Sequence, residues 1–222
     1  MSGLGRFMRL EAATVRAVFK GANLWIGPAM AILVAVATDA PAATVAVGAL
    51  LPASFAGTPF GLTARNNLDG LYATLGIPRR VVVVGRFAFF ALFAAASVVV
   101  VVSFAAAATF WKGLSWESLG AAALAAYLAA CLITFIELGI YFKFGYAKGR
   151  FAATAAVGVV FGLIAALYYA SLNRDLADWF YEAAVRLTVE PGLALAAACV
   201  LVALIGAGAF WLALASYRRR DF

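Results

Sequence analysis

Six runs of mostly apolar residues, each about as long as a bilayer is thick, constrain this chain more than any other feature. They cover about 22–38, 42–64, 81–110, 118–142, 151–171 and 192–215. A helix needs roughly 20 such residues to cross the hydrocarbon core. The third run is longer and has room to tilt or to extend beyond the membrane. Composition agrees: 66% of the 222 residues are hydrophobic and 12% are charged, whereas a soluble chain is about half apolar and a quarter charged. A soluble fold of this length cannot hide so much apolar surface, but lipid removes the need to hide it. The expected fold is an all-α integral membrane domain over residues 1–222, with six transmembrane helices and no second domain. Pro28, Pro52 and Pro59 predict kinks in the first two spans.

The net charge of +7 and pI near 9.7 do not point to nucleic acid, which needs basic residues gathered on one soluble face. Here they sit in short clusters between apolar runs. Thirteen Lys and Arg, from Arg6, Arg9, Arg16 and Lys20 to Arg218, Arg219 and Arg220, fall on the side of the N-terminus. Three fall on the other: Lys112, Arg174 and Arg186. That asymmetry predicts both termini in the cytoplasm. Trp111, Trp116 and Trp179 mark the outer interface, and Tyr141, Tyr146, Trp211 and Tyr217 the inner one. Histidine is absent, and Cys131 and Cys199 lie in separate apolar runs. This excludes His-ligated metal sites and a disulfide framework and leaves no CxxC motif; both thiols read as small buried hydrophobes. The N-terminus lacks a signal-peptide pattern and reads as mature sequence.

Three pieces are amphipathic and too polar or too short to span. In residues 3–20, Leu4, Phe7, Met8, Val15, Val18 and Phe19 fall on one arc of a helical wheel, and Arg6, Arg9, Arg16 and Lys20 on the opposite one. Such a helix lies in the interface, either as a basic anchor or as a brace for a partner. Glu11 is the exception, projecting among the apolar residues. In residues 67–80, Asn67 or Asn66 caps a short helix and Asp69 favours its first turn. Leu68, Leu71, Tyr72 and Leu75 form its apolar stripe, Gly76 and Pro78 end it, and Arg79 and Arg80 follow. An exposed stripe of this kind needs lipid or protein against it. In residues 172–188, Leu172, Leu176, Trp179, Phe180, Ala183 and Leu187 share a face opposite Asp178, Glu182 and Arg186, as in a helix resting on the outer surface.

Two ionisable residues fall inside spans. Arg86 is near the start of the third and Glu137 near the end of the fourth, both about 8–9 Å in from the cytoplasmic side at ~1.5 Å per residue. Intramembrane charges need partners. An Arg86–Glu137 ion pair is expected, with a proton-coupling or substrate role for Glu137, or Glu137 reaching the interface unpaired, as the alternatives.

The stretch LYATLGIPRRVVVVGRFAFF resembles the permease subunits of ABC-2 type transporters. Leu75, Ile77, Pro78, Arg79, Val83, Gly85, Arg86 and Phe87 fit the segment that leads into that family's third helix, with Gly76 where the family often has Leu. YFKFGYAKGR, Tyr141 to Arg150, resembles the basic loop of the short six-helix group that includes the phenol-soluble modulin exporter permeases, through Lys143, Gly145, Tyr146, Lys148 and Arg150. The ending SYRRRDF is similar to that of ABC-2 permeases as well. The resemblance implies a type V exporter-like fold in a bacterial cytoplasmic membrane. In it, residues 67–80 form a coupling helix docked on a cytoplasmic ABC ATPase, and the segment before the last span caps the outside. It also implies a second permease copy or paralogue.

No Gly-x-x-x-x-Gly-Lys-Ser/Thr motif occurs, so this chain cannot cradle nucleotide phosphates by that route. It reads as a non-catalytic subunit without a cofactor, with ATP and Mg held by the partner ATPase. Export of an amphipathic or lipophilic cargo such as peptides is the expectation. A non-transporting scaffold and a haem- or polysaccharide-type permease are the alternatives. A secondary transporter needs polar residues at the midplane, and spans one, two, five and six carry essentially none.

Overall fold

In a long apolar run the backbone has no hydrogen-bond partner but itself, so helix forms wherever such a run occurs. The structure, a computed structural model, describes residues 3–18, 23–37, 41–66, 68–112, 116–171 and 191–218. Among these the chain is built from helices α1 (Gly3–Val18), α2 (Asn23–Ala37), α3 (Pro41–Ala56), α4 (Thr58–Asn66), α5 (Leu68–Thr74), α6 (Arg79–Lys112), α7 (Glu117–Ser171) and α8 (Pro191–Arg218). Four stretches of the described residues are long and apolar enough to cross a membrane: Thr44–Asn66, Arg79–Lys112, Leu119–Ala156 and Leu195–Arg218. These cover the second, third, fourth and sixth expected spans. α2, at the place of the first, is helical over its 15 described residues; the two ends of that expected span, residues 22 and 38, lie outside the described residues. The fifth expected span, 151–171, is the distal part of α7. Residues 172–188 lie outside the described residues.

The 55 residues of α7 would extend about 80 Å if straight. Instead the chain turns at Gly145, whose φ of 73° and ψ of 179° are not helical. A Cβ on Gly149 would lie 3.3 Å from the Cα of Tyr141, whereas residues eight apart in one helix are separated by ~12 Å. α7 is therefore two arms folded back on each other, joined where only glycine tolerates the backbone. The Tyr141 and Tyr146 rings stack across the turn at 6.3 Å.

At Pro59 the expected kink takes the form of a break. Pro59 has no N–H to offer the carbonyl four residues earlier, so α3 ends at Ala56 and α4 begins at Thr58. There a proline in the first turn removes no intrahelical bond. Pro28 and Pro52 lie within α2 and α3 without ending them.

Two buried clusters divide the bundle along its length. One end is aromatic, with Phe7, Phe60, Tyr72, Phe87, Phe90, Phe142 and Tyr217 packed together; Phe60 meets Phe142 edge-on at 4.9 Å. The remainder is built from small residues, among them Val45, Ala94, Val98, Ala105, Ala126 and Ala130. In lipid, helices gain little from burying apolar surface, and close packing of small side chains holds them instead. Cys131 joins this second cluster, but Cys199 is exposed on α8. The reading of both thiols as buried thus holds for Cys131 alone. α8 also leaves Val200, Leu201, Leu204 and Trp211 uncovered.

Candidate functional site

The polar chemistry of the chain is gathered at its aromatic end. It begins on α1, where Phe7, Glu11 and Val15 stand at four-residue spacing and so share one face. All three are buried, while Arg6, Arg9 and Arg16 on the other side are exposed. α1 packs on α6 and α4. Its fit depends on Gly85, because a Cβ there would occupy the place of the Phe7 ring.

Glu11, out of place on an apolar face by sequence, is fully buried and forms an ion pair with Arg86 of α6 at 3.1 Å. Arg86 also donates from Nη2 to Thr63 Oγ1 at 2.7 Å, and its guanidinium lies over the Phe60 ring, 4.3 Å from the centroid. A buried guanidinium persists only when its charge and its donors are matched, and here α1 supplies the carboxylate while α4 supplies the hydroxyl and a ring face. The expected Arg86–Glu137 pair is corrected: Arg86 turns toward α1, and Glu137 Oε2 is buried with no hydrogen-bond partner. Equal depth on adjacent helices placed the two residues at one level; side-chain direction separated them.

α5 is held between these elements. Its end is a left-handed cap: Gly76 has φ 65°, its N–H bonds to the Ala73 carbonyl at 3.0 Å, and the Ile77 N–H bonds to the Tyr72 carbonyl at 2.9 Å. This is the Schellman arrangement, with Ile77 and Tyr72 making its hydrophobic contact. Glycine stands at position 76 because the cap needs positive φ. The Pro78 carbonyl then accepts from Val81 at 2.8 Å and starts α6.

The apolar stripe of α5 divides. Tyr72 faces inward, 3% exposed, edge-on to Phe7 at 5.5 Å, and its hydroxyl donates to Glu11 Oε2 at 3.4 Å. Burial, and then the Glu11 carboxylate, push its phenol above the usual value, so it remains a neutral donor. Leu68 packs partly against the aromatic cluster. Leu71 and Leu75 face outward, 45% and 50% exposed. The expectation that all four residues form one exposed surface therefore fails for Tyr72, which the burial of Glu11 and Arg86 draws inward. Asp69 accepts from the Tyr217 hydroxyl at 2.7 Å, and Arg79 donates to the Arg218 carbonyl at 2.7 Å; both contacts tie this segment to the end of α8. Pro78 and Arg80 are exposed. Asn67 lies outside the described residues.

The second loop meets the first. Gly145 and Tyr146 line a cavity of about 150 Å³ whose other walls include Asp69, Arg86 and Tyr217. Lys143, Lys148 and Arg150 are exposed around the turn. Lys143 lies over the Phe144 ring at 5.1 Å and Arg150 over Phe151 at 5.2 Å. Tyr141 and Tyr217, expected as interfacial markers, are buried packing residues.

Sequence reasoning missed Thr63, Tyr217 and Glu11 as members of the network. Glu11 alone carried a signal, since a carboxylate amid an apolar stripe requires a cation opposite it.

The family model described as ABC-2 family transporter protein matches residues 18–212, nearly the whole chain. No curated protein matches, and no solved structure matches.

Proposed function

We propose, since this chain belongs to the ABC-2 transporter family, that it is the permease subunit of an ATP-driven exporter and receives force from a separate ATPase at α5. One observation carries this reading. α5 presents Leu71 and Leu75 outward, while its inner side is bonded to α1 through Tyr72 and to α8 through Asp69. An exposed apolar pair calls for a partner, and a helix anchored on its other side passes a push into the bundle instead of yielding to it.

In this reading six helices cross a bacterial cytoplasmic membrane in a type V exporter-like arrangement. α2 and the distal arm of α7 supply the first and fifth. Both termini and the basic turns around Arg65, Arg80, Lys143, Lys148 and Arg150 face the cytoplasm, in keeping with the excess of Lys and Arg on that side. α1 lies along the inner surface with Arg6, Arg9 and Arg16 toward anionic headgroups. A second copy or paralogue completes the translocation path, and ATP-driven closure of the ATPases rocks the halves through α5. The subunit itself is non-catalytic; ATP and Mg belong to the partner. The cargo is amphipathic or lipophilic, as in the phenol-soluble modulin exporters, because the helix walls are rich in Ala, Val and Phe. A photo-crosslinker at Leu75 should join the chain to a protein with a Walker A motif. One at Phe110, at the far end of α6, should not. Equal yields from both positions would refute the assignment.

A further inference from the structure

Glu137 remains after the coupling network has taken Glu11, Arg86 and Thr63. It is 6% exposed, Oε2 has no hydrogen-bond partner, and among the described residues no cation pairs with it. A buried carboxylate oxygen without a donor is rare enough to need a cause, and an ionisable group at membrane depth marks a functional position by default.

Glu137 lines a cavity of about 480 Å³, large enough for a small organic group. The cavity lies between the two breaks in the helices, with Gly57 and Thr58 on one side and the arms of α7 around Gly145 on the other. Interrupted helices are where membrane transporters build polar binding sites. Ser54, Thr58 and Thr154 bring hydroxyls to the wall, and Tyr141 and Tyr146 bring two stacked rings. A carboxylate, hydroxyls and aromatic faces together suit an organic cation. They do not suit a divalent metal, since no group of three acidic, His or Cys ligands occurs among the described residues. Arg150 reaches the lining, but it is exposed and lies over Phe151, where water screens its charge.

We infer that this cavity binds the primary ammonium group of an amphipathic amine, with the Glu137 carboxylate as counter-ion. Resting on the permease reading, the amine is the part of the cargo that the inner half of the subunit recognises.

The test uses the purified full chain in a nonionic detergent, without any ATPase, and octylamine as probe, with octan-1-ol and octanoate as controls. Isothermal titration should show saturable binding of octylamine and none of the controls. Glu137→Gln should weaken octylamine at least ten-fold. Ala53→Phe, which fills the cavity and leaves the carboxylate in place, should do the same, and it decides the matter if Glu137→Gln does not fold. Undiminished octylamine affinity in a folded variant, or equal binding of octan-1-ol, overturns the inference. Either result leaves the α5 reading standing, because that reading is judged by crosslinking to the ATPase.

Discussion

Glu11 on α1 and Arg86 on α6 form a buried ion pair, Oε1 to Nε at 3.1 Å, seventy-five residues apart in sequence. Neither side chain is more than 1% exposed. The pair fastens the amphipathic helix α1 to α6, one of the helices long and apolar enough to cross a membrane, and Tyr72 joins it from α5.

Removing one partner of such a pair leaves the other charge buried and unmatched, which costs about 3–5 kcal/mol. Glu11→Gln and Arg86→Met should each lower the unfolding free energy in detergent by that order. The double substitution should recover a large part of the loss. Glu137→Gln combined with Arg86→Met should be additive, because Arg86 forms its ion pair with Glu11 and not with Glu137. Additivity at Glu11 and coupling at Glu137 would restore the pairing expected from sequence.

Gly85→Ala tests the seat of α1. The added methyl competes with the Phe7 ring, and overpacking of this kind costs about 1–3 kcal/mol. α1 should lift from α6, seen as faster tryptic cleavage at Arg6, Arg9 and Arg16. An unchanged digestion pattern would show that α1 is not seated there.

Two glycines with open space around them should respond in opposite directions. Gly76 has positive φ, and a Cβ there would meet nothing within 4 Å, so Gly76→Ala should cost about 1–2 kcal/mol through backbone strain alone. Gly120, in α7, has equally open surroundings without positive φ. There alanine should add about 0.5–1 kcal/mol. Thermal unfolding of the two variants side by side provides the measurement.

Much of this was legible in the sequence because single residues force it. Gly76 and Pro78 required the end of α5, Pro59 called for a kink where α3 gives way to α4, and the apolar runs required helices. What was not legible depends on side-chain direction between elements distant in the chain. The places of Arg86 and Glu137 along their helices could be read from the sequence, but the turn of Arg86 toward α1 could not. The inward position of Tyr72 follows from Glu11 and Arg86 jointly and has no local signature. Leu71 and Leu75 carried the same periodicity as Tyr72, and only the packing separates them.

The most direct measurement is ATPase recovery with the tagged full chain purified from membranes, comparing the wild type with Leu71→Asp/Leu75→Asp. Both positions are exposed, so the double variant should insert and fold normally while the Walker-motif ATPase and its ATP hydrolysis fall at least ten-fold. Recovery of an undiminished ATPase with the folded double variant would contradict α5 as the coupling surface.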